Sequence, residues 1–359
     1  MEVTKLKTVA NVLFVISCIT YLFGQGNGIQ KENSVKEQME LYKRNLKQDI
    51  VREDAIEIKL IKRIPSDTEI DEKEIYFRNL LYIYVDGRGH IYAPDPSLCI
   101  IYEFNENGKY IRRYENRGQG PGELQHPQRI YFVDDKIIVM DPMLGRLTYY
   151  DREWIFKKSV SLFGRYCIGI DKDSRIYCMN FRGEYIITVL DANGKIIKEY
   201  GVPLYPNKPQ SILNKFFARV TPNGNVWIGY EALGIIRKYS KEGELEKEIN
   251  INEYYNEHMK KLIENNKKND ANDKMKYSPI IKGIAFNGEE AIVTCGGIVN
   301  QMFRINNDGD VIKAYYISPQ FRTHYTCSEI RSVNNGEEIF YILENIDGER
   351  SIGIYGQGQ

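Results

Sequence analysis

An excess of charge of either sign is missing from this sequence, which has 49 lysines and arginines against 49 aspartates and glutamates in 359 residues. A neutral chain lacks the broad positive field on which non-specific nucleic-acid binding depends, so we expect no nucleic-acid partner. Histidine is scarce, with 4 scattered residues, and the 6 cysteines form no CxxC pair, so no zinc-ligand spacing is present. GxSxG, HExxH and EF-hand motifs are also absent, and the sequence identifies no cofactor and no hydrolytic centre.

Long apolar runs are confined to the N-terminus, where Thr8–Gly24 follows Lys5 and Lys7. Two lysines before such a run are typical of an export signal. We therefore assign residues 1–26 to an export signal, a lipoprotein leader or a membrane anchor.

Three outcomes stay open for this leader. Val15-Ile16-Ser17-Cys18 resembles a bacterial lipobox, which would make Cys18 the lipidated first residue of a mature lipoprotein. Cleavage after Gly24-Gln25-Gly26 would free a soluble chain, and an uncleaved leader would anchor it. All three place the rest of the chain outside the cytoplasm, because the lysines stay inside. We expect a protein of the periplasm or cell envelope that reaches a membrane only through its N-terminus.

Residues 27–54 show a helical pattern. Their apolar members, Val35, Met39, Tyr42 and Leu46, recur at helical spacing between charged residues. We predict a helical spacer that leads from the leader to a folded domain at residues 55–359.

A recurring turn dominates the folded part. Asp-Gly and Asn-Gly pairs favour two positive φ angles, so between apolar runs they predict β-hairpins. Such turns, and equivalent ones, open six units of about 45 residues, at positions 86, 134, 172, 223, 287 and 335. Three breaks per unit indicate four antiparallel strands, which is the pattern of a propeller blade. In the third unit Cys167 and Cys178 flank the turn, where two buried thiols or a cross-strand disulfide would fit.

These units predict an all-β fold, a six-bladed β-propeller of four-stranded antiparallel blades. The sixth unit ends one strand early, at Tyr355, whereas Ala55–Ile61 shows strand alternation and has no unit of its own. We predict that Ala55–Ile61 pairs with the last blade, next to Ser351–Tyr355. This N-terminal strand would close the ring, and closure removes exposed sheet edges.

Two connections between blades are long. One spans residues 202–215, and the other is a helical insertion at about 252–278, in which residues 265–270 have the composition of a solvated loop. We expect the insertion to lie outside the ring and not to belong to its core, because it is polar and its apolar face is narrow.

One segment carries a family resemblance. Arg117-Gly118-Gln119-Gly120-Pro121-Gly122-Glu123-Leu124, followed by Pro127 and a β run, resembles the inter-blade segment of NHL-type propellers. Asp141-Pro142, Arg146-Leu147 and Tyr150-Asp151 follow that repeat's order of Asp, basic-apolar pair and aromatic-Asp. The chain resembles the exported bacterial six-bladed β-propeller family, whose members are often lipoproteins. The resemblance implies fold and location but no activity. The glycines do not predict a phosphate loop, because a strand and not a helix follows them.

Basic residues recur near the start of the innermost strand of each predicted blade. They are Arg78, Arg129, Arg165, Arg219, Lys282 and Arg331. Because innermost strands line the channel, we expect that a small-molecule site, if the propeller has one, is an anion site at one channel mouth, to which at least three of Arg129, Arg165, Arg219 and Lys282 contribute. The alternative is that carboxylates, with Glu123 and Glu329 as available partners, neutralise the cations.

Two classes of function fit this pattern. The first is a non-catalytic exported propeller that serves as a binding scaffold for a protein, peptide or glycan on one face. The alternative is a channel-site enzyme of lactonase or lyase type, for which a Ca²⁺ or Zn²⁺ held by residues from different blades stays open. A purely structural component of the envelope is the third alternative. A tightly held metal would favour the enzyme.

Overall fold

The computed structural model describes residues 54–65, 75–180, 184–255, 257–296, 300–317, 323–332, 338–346 and 349–357. The predicted leader, the lipidation candidate Cys18 and the spacer up to residue 53 lie outside these ranges and stay predictions. Within these ranges, no helix is long and apolar enough to cross a bilayer.

Strands pair in chain order into blades. Blade 1 contains β2 (Tyr84–Val85), β3 (Ile91–Asp95), β4 (Ile100–Phe104) and β5 (Tyr110–Glu115). Blade 2 contains β6 (Arg129–Val133), β7 (Lys136–Asp141), β8 (Arg146–Tyr150) and β9 (Phe156–Ser161). Blade 3 contains β10 (Tyr166–Ile170), β11 (Ile176–Met179), β12 (Ile187–Leu190) and β13 (Ile196–Tyr200). Blade 4 contains β14 (Phe216–Val220), β15 (Val226–Tyr230), β16 (Ile235–Tyr239) and β17 (Leu245–Asn250). Blade 5 contains β18 (Ile281–Asn287), β19 (Glu290–Cys295), β20 (Asn300–Ile305) and β21 (Val311–Ile317). Blade 6 contains β22 (Thr323–Ser332), β23 (Glu338–Ile346) and β24 (Glu349–Gln357), with β1 (Ile56–Ile64) as its outer strand. The prediction of a propeller with four-stranded antiparallel blades is confirmed.

The N-terminal strand closes the ring, as predicted. β1 runs antiparallel to β24, with Lys59 opposite Gly356. Its first two residues, Ile56 and Glu57, pair in parallel with β21 of blade 5. Blades 5 and 6 therefore share one eight-stranded sheet, whereas each of the other four blades is a separate four-stranded sheet. The strand ends at Ile64, beyond the predicted end at Ile61.

The first strand of each blade is the innermost one, and blades contact their neighbours through these strands, including β22 against β2. Because each blade has an even number of strands, every first strand begins on the same face, where the connections between blades also lie. We call this the mouth face. The predicted hairpin turns, such as Asp86–His90 and Thr221–Asn225, close with backbone hydrogen bonds on the opposite face.

Burial follows this layering. All five residues of β3 are buried, and β7 is buried after its first residue, as expected for strands covered on both sides. Outer strands such as β5 and β9 are mostly exposed and carry basic side chains, which discourage pairing with another chain's edge.

A buried aspartate ties each of the first two blades to the chain entering its innermost strand. One carboxylate oxygen of Asp141 accepts hydrogen bonds from the backbone N–H groups of Gln125 (2.6 Å) and His126 (2.8 Å). The other accepts from the N–H groups of Met143 (3.0 Å) and Leu144 (3.1 Å). Asp95 repeats the arrangement in blade 1, with the N–H groups of Arg78, Asn79, Ser97 and Leu98. The Asp-Pro pair of the NHL-like pattern is therefore a structural clamp.

The glycine-rich segment at residues 117–124, which leads from blade 1 into blade 2, is held by hydrogen bonds from blade 2 and within the segment itself. Arg146 donates to the carbonyl oxygens of Gly120 (2.7 Å) and Glu123 (2.9 Å). The Glu123 carboxylate accepts from the backbone N–H of Gly120 at 2.7 Å. The Glu123 carboxylate thus serves its own loop and not the channel cations. The side chain of Glu329 lies outside the described part of the chain.

The long insertion departs from the prediction. A short 3₁₀ helix (Ile251–Tyr254) is followed by α1 (Glu257–Ala271), so the residues expected as a solvated loop are helical. Met259 and Ile263 are each 4% exposed and lie in the largest core cluster, with residues of blades 3, 4 and 5. The expectation that the insertion does not belong to the core is wrong.

Two buried polar side chains of α1 explain this departure. The Asn266 amide donates to the carbonyl oxygens of Ala232 (3.0 Å) and Ser278 (2.8 Å). Asp270 accepts from the Ser211 hydroxyl at 2.8 Å and from the Ile212 backbone N–H at 2.9 Å, and it thereby caps a second 3₁₀ helix (Ile212–Asn214). The two long connections, 202–215 and 252–278, are therefore bound to each other on the mouth face.

Four cysteines of the described residues are free thiols. Cys167 and Cys178 occupy opposite positions of β10 and β11, and both are free and buried. Cys99 and Cys295 are also free and buried. Burial raises the pKa of Cys99 to about 11 and that of Cys295 to about 12, so both thiols stay protonated at neutral pH.

Candidate functional site

A cavity of about 230 Å³ opens at the mouth face, where the first strands of the blades begin. Residues from blades 1 to 4 line it: Tyr82, Arg129, Tyr166, Met179, Phe216, Phe217, Ala218 and Glu231. Tyr82 lies just before β2, Arg129 and Tyr166 begin β6 and β10, and Glu231 follows β15. The cavity is therefore built from strand ends, which a closed ring holds rigidly.

Arg129 is the cation of this cavity, and only 4% of its surface is exposed. Its guanidinium lies over the ring of Tyr82 at 4.4 Å and over that of Tyr166 at 5.1 Å from the ring centroids. Its Nε donates to the Tyr166 hydroxyl at 3.1 Å. Among the described residues it has no carboxylate within 4.0 Å, since no ion pair joins it to another residue. Aromatic faces offset only part of the cost of burying a guanidinium charge.

The hydroxyl of Tyr84 adds a second unsatisfied group. Tyr84 is 4% exposed, and its hydroxyl has no hydrogen-bond partner in the part of the chain that the structure describes. Burial raises its pKa far above the usual value, against the opposing effect of Arg129 and Arg219. A buried hydroxyl without a partner costs about 1–3 kcal/mol. We refer to Tyr82, Tyr84, Arg129, Tyr166 and Arg219 as the tyrosine–arginine cluster.

The cavity lining also contains a carboxyl group, that of Glu231. Burial raises the pKa of Glu231, and a hydrogen bond from Tyr277 and the nearby charge of Lys215 oppose this only in part. The Lys215 ammonium lies 4.8 Å from the centroid of the Tyr277 ring. Tyr277 belongs to the long insertion, so the insertion contributes a hydrogen bond to a carboxyl group that lines the cavity.

The four predicted anion-site residues occupy different depths. Arg129 lines the cavity, and Arg219 lies 6.0 Å from the ring centroid of Tyr84 while its Nε donates to the carbonyl of Ile284 at 3.1 Å. Arg165 precedes β10 and is partly exposed, and Lys282 lies in β18, where burial lowers its pKa. Arg129 and Arg219 both lie near Tyr84. Of the four predicted residues, only Arg129 is among those that line the cavity, so the structure does not bring three of them together there.

The tyrosines and Glu231 are site residues that sequence reasoning did not find. Tyr82 and Tyr84 stand two residues apart, on either side of Ile83, and Tyr166 follows Arg165 directly. A period of two on an innermost strand was the available signal, because alternate residues face the channel. Nothing local to the sequence pairs Tyr82 with Tyr166, since they belong to different blades.

Exposed apolar side chains lie in connections on the mouth face. Met143, in the turn between β7 and β8, is 69% exposed, and Phe163, in the connection from β9 to β10, is 74% exposed. Tyr76, Val202 and Met275 are further exposed apolar residues in connections on this face. We call these five residues the apolar rim.

No cluster of three or more His, Cys, Asp and Glu side chains suited to a metal ion occurs in the described ranges.

Comparison with known proteins identifies the family. A family model, DUF5128, described as a 6-bladed beta-propeller, matches residues 83–277, more than half of the chain. The chain belongs to this family. A search of curated proteins finds no match.

Solved structures show the DUF5128 fold of this chain in other proteins. A member of the DUF4221 family from Bacteroides vulgatus is 13% identical over 85% of this chain and 98% of its own, with a TM-score of 0.54. A protein of Bacteroides fragilis described as exported is 14% identical over 86% and 96%, with a TM-score of 0.50. Virginiamycin B lyase from Staphylococcus aureus is 15% identical over 82% and 87%, with a TM-score of 0.46. At these identities the likeness shows the fold alone.

Proposed function

We propose that this propeller is a binding scaffold for a protein, peptide or glycan, and that it takes an anionic group of its ligand at the mouth face. The observation that carries the proposal is Arg129, a buried guanidinium that lines a cavity and has no carboxylate partner among the described residues. Arg219 lies next to it around the unsatisfied Tyr84 hydroxyl. The anion site is therefore centred on one arginine with a second behind it.

The physical case for an anion rests on desolvation and geometry. A buried charge without a partner is costly, so folding leaves Arg129 poised to gain from any anion that enters. Its planar fork matches carboxylate and phosphate oxygens with two parallel hydrogen bonds. Stacking on Tyr82 and Tyr166 fixes the guanidinium plane before the ligand arrives, which lowers the entropic cost of binding.

The site's location follows from the leader. Whichever of the three outcomes applies to residues 1–26, we place the propeller in the periplasm or cell envelope, attached to a membrane only through its N-terminus. A ligand met there is a surface or envelope polymer or a secreted protein.

The proposal is tested with the purified full-length protein and inorganic phosphate and acetate as probes, by isothermal titration calorimetry. Arg129→Met removes the charge and keeps the side-chain volume, and Arg113→Met on the exposed strand β5 is the matched control. We expect anion binding to weaken with salt, to be lost in Arg129→Met and to persist in Arg113→Met. Equal binding by Arg129→Met and the native protein would exclude Arg129 as the site.

A channel-site enzyme is the second candidate, favoured by Glu231. A carboxyl with a raised pKa that lines a cavity is a candidate general acid or base. A stoichiometric Ca²⁺ or Zn²⁺ that survives purification and is removed by a chelator would support the lactonase or lyase type. Metal-free protein that binds anions with unchanged affinity after chelation would support the scaffold.

A further inference from the structure

We infer that the anion bound at Arg129 is an apolar carboxylate, namely the C-terminus of a partner polypeptide that ends in an aromatic or aliphatic residue. This inference rests on the proposed function and goes further by choosing among its ligand classes. The choice follows from the cavity's lining, its size and the surface around it.

The lining is mostly carbon. Met179, Phe216, Phe217 and Ala218 present apolar surface, and the rings of Tyr82 and Tyr166 stack on the guanidinium. An aromatic or aliphatic side chain gains about 25 cal/mol for each Å² that it buries against such walls.

Polar partners in the cavity are few and partly engaged. The Tyr166 hydroxyl already accepts from Arg129, and Glu231 already accepts from Tyr277. An acidic sugar brings several hydroxyls, and each one buried without a partner costs about 1–3 kcal/mol. A single carboxylate on an apolar group has no such excess, since the Arg129 guanidinium in the cavity lining supplies hydrogen bonds to it.

The size of the cavity limits what enters. Its volume of about 230 Å³ is below the range of about 300–1,000 Å³ that holds a drug-sized ligand. The cavity therefore holds one end of a ligand, and the rest continues over the mouth face.

The apolar rim indicates what continues there. Phe163 lies three residues before Tyr166 of the cavity and is 74% exposed, and Met143 projects from the neighbouring turn with 69% exposure. An extended peptide that leaves the cavity meets these side chains, whereas a small free acid ends before reaching them. Cavity and rim together are therefore complementary to a chain end that has one negative charge and apolar side chains.

The experiment compares matched probes on the full-length protein. They are N-acetyl-Gly-Ala-Phe with a free carboxylate, the same peptide as its C-terminal amide, 3-phenylpropionate and galacturonate. We expect the free-acid peptide to bind at least about tenfold more tightly than the amide, because hydrogen bonds to a charged group contribute about 1.5–3 kcal/mol. Arg129→Met abolishes this difference, and Arg129→Lys retains only part of it because a lysine lacks the planar fork.

Rim variants separate a peptide from a small acid. Phe163→Ser and Met143→Ser are expected to weaken the free-acid peptide several-fold and to leave 3-phenylpropionate unchanged. Ile155→Ser is the control, because Ile155 is 59% exposed and lies on the opposite face. We expect it to change neither the affinity for the peptide nor that for 3-phenylpropionate.

Each outcome is decisive. Tighter binding of galacturonate than of the peptide would overturn the inference in favour of a glycan, with the proposed anion site intact. If the free-acid peptide and 3-phenylpropionate bind with equal affinity, and Phe163→Ser changes neither affinity, the ligand is a small free acid. This result would overturn the inference of a peptide ligand. Equal affinities of the free-acid peptide and its C-terminal amide would show that the site does not recognise the carboxylate, and would overturn the inference. If the native protein binds none of these anions and no inorganic phosphate, the proposed function itself is overturned.

Discussion

Replacing Asp141 should destabilise the propeller more than almost any other single change on the mouth face. Its side chain is fully buried and accepts four backbone hydrogen bonds, two at each carboxylate oxygen. Water cannot replace these bonds, because none of the residue's surface is exposed. A buried hydrogen bond contributes about 1 kcal/mol net, and more to a charged acceptor, so Asp141→Ala should lower the free energy of unfolding by about 4 kcal/mol. That is a large share of the roughly 5–15 kcal/mol of a typical domain.

The conservative variant refines this prediction. Asp141→Asn keeps one oxygen but turns an NH₂ group towards two N–H donors, so it should cost about half as much, roughly 2 kcal/mol. Asp95→Asn should cost a similar amount, because Asp95 accepts an equivalent set of four bonds in blade 1. Asp134→Asn, whose side chain is 70% exposed, is the control and should change stability by less than about 0.5 kcal/mol.

Urea denaturation followed by circular dichroism measures all four variants. An unfolding free energy of Asp141→Ala within about 1 kcal/mol of that of the native protein would show that Asp141 does not act as a clamp. The same conclusion would follow if Asp141→Asn and Asp134→Asn are indistinguishable, because burial and the four bonds are what separate them.

Three further predictions follow from the packing. Deleting residues 55–64 should unfold the protein or cause it to aggregate, because it removes β1 and opens edges on β21 and β24; a monomer of native melting temperature would contradict this. Replacing residues 252–278 with a Gly-Ser linker should lower the melting temperature strongly. Asp270→Ala should lower it less, because the linker also removes Met259 and Ile263 from the core. A shift of only a few degrees for the linker variant would show that these contacts contribute little. Cys99, Cys167, Cys178 and Cys295 should react with a thiol reagent only after unfolding, because all four are buried and free; a Cys167–Cys178 disulfide detected by mass spectrometry would contradict this.

The repeat could be predicted because its turns depend on local sequence, and the ring closure could be predicted because the strands of each unit can be counted. The glycine of the Asn-Gly or Asp-Gly pair has positive φ at Gly108, Gly194, Gly224, Gly288 and Gly309, whereas the preceding Asn or Asp does not, so only one of the two expected positive φ angles occurs. Glycine adopts this conformation more readily than other residues, and the turns therefore still mark the blades. Ala55–Ile61 was assigned to the last blade because it was an unmatched strand and the last blade lacked one.

The insertion belongs to the core, against the prediction, for a physical reason. Asn266 and Asp270 are polar, and a hydrophobic pattern counts polar residues as solvated. Their partners, Ala232 and Ser211, lie 34 and 59 residues away in the chain. Burial of a polar residue depends on such distant hydrogen bonds, which periodicity does not report.

The candidate site could be predicted only in part. Arg129 and Arg219 were selected because cations recur on innermost strands, and both lie in the tyrosine–arginine cluster. Arg165 and Lys282 were selected for the same reason, but the four residues stand at different distances from their hairpin turns and so at different depths. The aromatic partners of Arg129 come from blades 1 and 3, and contacts between blades leave no trace in the spacing of either blade.

The most direct test of the anion site is a crystal of the full-length protein soaked in bromoacetate, with the anomalous signal of bromine locating the anion. We expect a bromine peak in the mouth-face cavity, with the carboxylate at hydrogen-bond distance from the Arg129 guanidinium. Bromine peaks confined to exposed lysines and arginines, with the cavity free of anion, would contradict it.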